Sequence, residues 1–161
     1  MVVFDEDRIH DSALRIISIR PHSTAELRRK LLKKAGDPAA VDRVIERLLR
    51  VDLLNDNRFA RDFIEYGFVR KSWGKRKVWA GLMKRGIDRI IIDELLRSPD
   101  AALMEQEGAR RFVDRQTRDG DTSEEHIKKI AGKLVSRGFG WDVVSQVIKS
   151  AGQPVPEREP A

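Results

Sequence analysis

Apolar residues recur along this chain at helical spacing. Val41, Val44, Ile45, Leu48 and Leu49 follow i, i+3, i+4, i+7, i+8, and so do Ile127, Ile130, Ala131, Leu134 and Val135. Phe59, Phe63, Tyr66 and Val69 form a further stripe. Long period-two alternation, the mark of a half-buried strand, is absent. The pattern predicts an all-α protein.

The punctuation between stripes agrees. Ser23 and Glu26 fit a capping box, as do Thr122 and Glu125. Asp37-Pro38 and Ser98-Pro99 each place a capping side chain before a proline at the first helical position. Asp56 and Asp88 are further N-cap candidates. Gly36, Gly86 and Gly138 each follow a basic, apolar run and can take the left-handed conformation that ends a helix. These signals predict nine helices, roughly 8–19, 24–35, 38–51, 56–72, 75–85, 88–97, 99–118, 123–137 and 141–150. The tail over 153–161 holds three of the six prolines, has no periodicity and is expected to fray.

The helices repeat. Val44-Ile45-x-x-Leu48-Leu49, Ile91-Ile92-x-x-Leu95-Leu96 and Val143-Val144-x-x-Val147-Ile148 share one pattern, each followed by a basic residue: Arg50, Arg97 and Lys149. Upstream lie Gly36, Gly86 and Gly138, each with a leucine four residues before it: Leu32, Leu82 and Leu134. Ala60-Arg61-Asp62-Phe63-Ile64 resembles Ala109-Arg110-Arg111-Phe112-Val113, with Ala13-Leu14-Arg15-Ile16-Ile17 a looser third copy. The expected organisation is three tandem three-helix repeats over 1–54, 55–98 and 99–152, followed by a flexible tail over 153–161. Units of this size bury little core alone, so neighbours should stack on a shared apolar seam into an elongated, curved array. The alternative is one compact nine-helix bundle.

Composition narrows the function. The chain has no cysteine, which excludes disulfides and thiol chemistry. Its start carries no signal-peptide pattern and no apolar run approaches a membrane span, so a cytoplasmic protein without a membrane role is expected. There is no glycine-rich phosphate loop, dinucleotide fingerprint or H-E-x-x-H. His10, His22 and His126 fall in different repeats and read as surface or capping residues. Met83 and Met104 read as core. No enzyme, cofactor or metal site is expected, and a monomer is the simplest state.

The charge is uneven. The chain has 32 basic and 26 acidic residues, a net +6. Residues 66–90 alone carry Arg70, Lys71, Lys75, Arg76, Lys77, Lys84, Arg85 and Arg89 against Asp88, eight minus one or +7. A second basic helix holds Arg28, Arg29, Lys30, Lys33 and Lys34 against Glu26. Like charges three or four apart on a helix repel by a few tenths of a kcal/mol each, a cost that a partner bearing phosphates or carboxylates relieves. Trp73 and Trp79, inside the first cluster, are either base-stacking platforms or core residues beneath lysine stems; core is the expectation.

Four segments then resemble a known family. Arg20-Pro21-His22-Ser23-Thr24-Ala25-Glu26-Leu27-Arg28-Arg29-Lys30-Leu31 looks like the R-x-x-S-x-x-E-L-x-x-K-L signature of the RecX regulatory proteins. Leu54-Asn55-Asp56-Asn57-Arg58-Phe59-Ala60 is similar to their L-[ND]-D-x-x-F-A element. Gly74-Lys75-Arg76-Lys77-Val78 through Leu82-Met83-Lys84-Arg85-Gly86-Ile87 resembles their G-x-x-[KR]-[IV] … L-x-x-[KR]-G-[IV] element. Arg137-Gly138-Phe139-x-Trp141-Asp142 and Val147 resemble the closing R-G-F-x-W-D … V pattern. The resemblance spans about residues 9–150. Trp79 stands where the family often has a polar or basic residue, and Asp37-Pro38-Ala39 is an insertion relative to the other repeats. The resemblance implies tandem three-helix repeats that lodge in the groove of the RecA filament on single-stranded DNA. It implies restraint of RecA's ATPase, strand-exchange and coprotease activities, and for some members direct DNA binding. Arg70, Lys71, Lys75, Arg76, Lys77, Lys84, Arg85 and Arg89, supported by Arg28, Arg29, Lys30 and Lys33, are the expected contacts to the filament or to DNA. An independent helical DNA-binding module is the alternative.

Overall fold

The computed structural model describes residues 5–157. Among them the order is α1 (Glu6–Ile19), α2 (Thr24–Ala35), α3 (Pro38–Arg50), α4 (Asp56–Glu65), a π-helical turn (Tyr66–Arg70), α5 (Lys75–Lys84), α6 (Arg89–Arg97), α7 (Pro99–Gln116), α8 (Glu124–Ser136) and α9 (Trp141–Ser150), with no strand. The helices start where polar side chains satisfy the orphaned amides of a first turn. Ser23 and Glu26 close a full capping box on α2, and Asp37, Asp88 and Ser98 cap α3, α6 and α7. Two expected caps move by one residue. Asn55, not Asp56, caps α4 by accepting from Arg58 N–H, and Ser123, not Thr122, caps α8 by accepting from His126 N–H. Asp56 is thereby free for another role.

The helix expected over 56–72 changes pitch at Tyr66. The Lys71 N–H donates to the Tyr66 carbonyl at 3.2 Å, five residues back, and the Trp73 N–H reaches Gly67 at 2.9 Å. This wide turn places Phe68 fully inside and leaves Tyr66 exposed, so the stripe Phe59, Phe63, Tyr66, Val69 is replaced by Phe59, Ala60, Ile64 and Phe68. Met83, Leu49 and Val135, read from the sequence as core, are likewise on the surface, at the edges of their stripes.

Three apolar clusters form. The first gathers Ile9, Ala13, Leu27, Leu31, Val44 and Leu48 from α1–α3. The second gathers Phe59, Ala60, Phe68, Val78, Leu82 and Ile92. The third gathers Ala109, Phe112, Ile130, Leu134, Val144 and Ile148. Burial of each such aliphatic side chain contributes about 1.5–3 kcal/mol before entropy is subtracted. The repetition read from the sequence is physical: Ala13, Ala60 and Ala109 are each wholly buried. Among the described residues the expected continuous apolar seam is absent, because the clusters are separate. Of the helices described, only α7 runs between two of them, giving Ala101 and Met104 to the second and Ala109, Phe112 and Val113 to the third. The first and second units are therefore joined mainly by polar and backbone contacts, and the second and third also through the apolar face of α7.

Candidate partner-binding surface

The joints use equivalent parts. In each, the second helix of one unit points its first turn at the end of the second helix of the next unit. At the first joint, the Ser23 hydroxyl donates to the Arg85 carbonyl at 2.5 Å, and the Thr24 N–H donates to Asp56 Oδ1 at 2.8 Å. At the second, the Gly74 N–H donates to the Arg137 carbonyl at 2.8 Å, and the Lys75 N–H donates to Glu105 Oε1 at 2.6 Å. Ser23 and Gly74 are both N-caps, and Arg85 and Arg137 both precede a left-handed glycine. The two arginines also stack alike: Arg85 lies 4.5 Å from the Phe63 ring centroid, and Arg137 lies 4.6 Å from that of Phe112. The carboxylates of Asp56 and Glu105 thus neutralise the positive start of a helix in a neighbouring unit.

Local electrostatics differ between the joints. Burial pushes the Glu26 carboxyl up, but Arg20, the Ser23 N–H and Arg85 outweigh it and hold the group below the ordinary carboxylate value. Glu105, only 4% exposed, is shifted up because burial outweighs the Lys75 N–H and ammonium. His22 is buried, not on the surface as its sequence context suggests. Its Nδ1 contacts the Arg20 carbonyl at 2.9 Å and its Nε2 the Lys30 ammonium at 2.8 Å. An ammonium has no acceptor, so the ring is the neutral Nδ1–H tautomer with Nε2 accepting. Burial is the main cause that lowers its pKa, followed by the carbonyl contact, which opposes the shift, and the nearby cations.

The expected contact residues do not form one patch. On the first basic helix, Arg28 is held by Asp42 in a two-pronged pair (2.6 and 3.0 Å) and Lys30 is bound to His22, while Arg29 and Lys33 have no ion-pair partner among the described residues. Along α5 the cations part to two sides. Lys75 and Arg76 line a cleft of about 510 Å³ together with Asp93, Glu105 and Asp142, where charges of both signs meet. Lys77 joins Arg70 and Lys71 in a second cleft of about 920 Å³ between the second and third units. Arg85 is drawn into the first joint by Glu26 (3.9 Å), and Arg89 pairs with Asp93 (3.5 Å). Lys84 stands exposed on α5 with no ion-pair partner among the described residues.

The second cleft also contains Arg115, Lys133 and Arg137, which the charge runs did not single out because each is isolated in sequence. The signal was there in Arg137, which repeats the place of Arg85 before its glycine. Both tryptophans are half-buried, as expected of core-edge residues. Trp73 is packed against Phe63 and Tyr66 with the Lys77 ammonium 5.3 Å above its ring, and Trp79 donates its Nε1–H to Asp93 at 3.1 Å. Among the described residues no group of three or more His, Cys, Asp or Glu side chains is placed to hold a metal, and no helix is long and apolar enough to cross a membrane.

Comparison with known proteins fits this architecture. Residues 10–48 match the family model described as RecX, first three-helix domain, and residues 55–96 match RecX, second three-helix domain. The chain is 35% identical over 148 residues to the Regulatory protein RecX of Chlorobium limicola, covering 91% of each chain. It is 30% identical over 148 residues to that of Mycobacterium sp. (strain JLS), covering 89% of this chain and 81% of the relative. The crystal structure of RecX from Lactobacillus salivarius superposes with a TM-score of 0.78 at 20% identity, over 91% of this chain and 96% of that one. With two matched domains in order, joints built from the segments that carried the resemblance, and relatives aligned nearly end to end, this chain belongs to the RecX family of regulatory proteins.

Proposed function

We propose that this protein is a negative regulator of the RecA recombinase that lies in the groove of the RecA–single-stranded DNA filament and restrains its ATPase, strand-exchange and coprotease activities, and so modulates recombination and the SOS response. The observation that carries the reading is the near full-length similarity to proteins named as RecX regulators. The physical form suits the task. An array of linked units reaches more than one filament subunit, so each further contact forms at high effective concentration. Unpaired cations on α2 and α5 and in the cleft between the second and third units suit a groove walled by acidic protein and phosphate. Binding across subunits would hold the filament in a state unsuited to turnover or favour its disassembly.

The test is the DNA-dependent ATPase rate of RecA filaments, titrated with this protein at two salt concentrations. Inhibition at substoichiometric protein supports filament action, because simple competition for DNA needs stoichiometric amounts. No inhibition at equimolar protein, alongside normal binding to bare DNA, points instead to an independent DNA-binding module. Reversal of Lys75, Arg76 and Lys77 to Glu tests the surface: unchanged inhibition rejects these three as contacts.

A further inference from the structure

The two joints differ in what a proton does to them. At the first, the start of α2 is pinned around Ser23, which is wholly buried and donates to the Arg85 carbonyl. On one side Glu26 must be ionised: it accepts from the Ser23 N–H at 3.2 Å and meets Arg20 and Arg85. On the other side His22 must be neutral, because its two nitrogens are committed to the Arg20 carbonyl and the Lys30 ammonium. The ring is 6% exposed. It borders a cleft of about 520 Å³ lined by Leu14 and Ile17 of α1 and by Phe59 and Asp62 of α4.

A proton on Nε2 turns that atom from acceptor to donor. It then faces the Lys30 ammonium, with Arg20 and Arg58 as the other cations at hand. Lys30 is exposed and can swing into water, but that leaves a buried imidazolium N–H without an acceptor, which is costly. Of the nearby carboxylates, Glu26 is engaged by Arg20, Arg85 and the Ser23 N–H, and Asp62, on α4, is not bonded to the ring. The charge is relieved when the ring turns out of its seat, and Ser23, the next residue, goes with it.

The second joint lacks this dependence. Gly74 N–H donates to the Arg137 carbonyl, Arg76 N–H to the Gly138 carbonyl at 3.1 Å, and Lys75 N–H to Glu105. A protonated carboxyl keeps an acceptor oxygen for that last N–H, and burial favours the neutral form. Among the described residues no histidine lines either cleft beside this joint.

We infer that the first joint is an acid-sensitive latch: protonation of His22 releases the start of α2 from the second unit while the second joint stays closed. The first unit is then uncoupled from the pair formed by the second and third. This stands apart from the recombinase reading and does not need it. Burial above all, then the charges of Arg20 and Lys30, hold the ring neutral; the Arg20 carbonyl and the Glu26 carboxylate oppose them with less effect. The folded value lies below 6.5, so the contribution of His22 is intact above 6.5 and is lost as pH falls from there. Glu26, held below 4.5, stays charged through the range between 6.5 and 4.5. Glu105, raised above 4.5, adds stability to the second joint as pH falls through its folded value.

The experiment is hydrogen exchange of the full chain, read by mass spectrometry at pH 7.5 and 5.5, with rates corrected for the intrinsic pH dependence of exchange. Linkage to one histidine raises the opening of the first joint by at most about tenfold at about one pH unit below the ordinary value. Protection is expected to fall several-fold over residues 23–27 and 85–87, and to hold or rise over 74–78 and 137–139. In His22→Asn the side-chain amide can donate to the carbonyl and accept from the ammonium without titrating, so the first joint is expected to keep its protection at pH 5.5. The His22 ring, followed by NMR in the unaltered chain, is expected to titrate with the midpoint at which the joint opens, a test that needs no variant. Equal loosening of both joints, no loosening of either, or tightening of the first through capture of the ring by Asp62 overturns the assignment. So does a full response in His22→Asn, or disagreement between the two midpoints.

Discussion

The two joints share a design and differ in what fills it. At the first, the contact is made by side chains: a serine hydroxyl, the carboxylates of Asp56 and Glu26, and the Ala25 methyl seated over Gly86. At the second, backbone meets backbone. Gly74 and Arg76 donate to the carbonyls of Arg137 and Gly138, Gly138 sits against the Lys77 amide, Gly108 lies under the Phe68 carbonyl, and α7 passes through both cores. Side chains are exchangeable and titratable, whereas backbone contacts through glycine tolerate almost no change. The first joint is thus polar and open to exchange of its side chains, and the second is held by close backbone contacts that release its side-chain positions to carry charge.

The largest effect is expected at Gly138. Its φ is +90°, and an added Cβ would lie 2.6 Å from the Lys77 nitrogen. Gly138→Ala combines left-handed strain with overpacking and is expected to cost about 3–4 kcal/mol, roughly 6–15 °C in melting temperature for a chain of this size. Gly36 has φ +69° but nothing within 4 Å of an added Cβ. Gly36→Ala carries the backbone strain alone, about 1–2 kcal/mol. Equal losses for the pair would show that the joint contributes nothing at Gly138.

Glu105→Ala leaves the half-buried Lys75 N–H without its acceptor and is expected to cost about 1–3 kcal/mol by chemical denaturation. Glu105→Gln keeps an acceptor and should restore most of it. Because the folded carboxyl titrates above its unfolded value, the folded protein holds its proton longer. Wild-type stability therefore falls as pH rises through the window just above 4.5, and the glutamine variant should lack that fall.

Ser23→Ala removes both the α2 cap and the bond to Arg85, at about 1–2 kcal/mol, and should increase hydrogen exchange around the first joint while the second stays protected. A uniform increase across both joints would remove the distinction between them. The smallest effect is pH-driven. The folded pKa of His22 lies below 6.5, so its contribution is intact above 6.5 and is lost as pH falls from there through the folded value. His22→Asn, titrated from pH 7 to 5, should flatten that part of the stability profile.

Most of the fold was legible in the sequence. The 3.6-residue stripes, caps and three spaced glycines specify helices locally, and the recurring Ala13, Ala60 and Ala109 marked equivalent buried positions. Errors fell where tertiary contacts overrode local signals. Asp56 reads as a cap, yet it serves the amide of Thr24 in another unit while Asn55 takes its place. The π-helical turn has no local signature, and it moved Tyr66 out and Phe68 in. His22 looked like a surface residue because nothing nearby in sequence shows that Lys30 and the Arg20 carbonyl close over it.

The binding surface was legible only in part. Charge runs located Arg70, Lys71 and Lys77, but runs say nothing about direction. Lys75 and Lys77 are two apart on a helix and so face different sides, one toward Glu105 and one toward the basic cleft. Arg115, Lys133 and Arg137 come from α7, α8 and the end of α8, and only the docking of the third unit on the second brings them to Lys77.

Sequence by itself determined the class, the helices and the family, because periodicity, capping and motif order are carried by residues close together in the chain. The tertiary structure alone decided which charges are cancelled and which are left for a partner. Coulomb energy depends on distance through space, and the distances that pair Glu26 with Arg85 and leave Lys77 beside Arg115 are set by how one unit seats on the next.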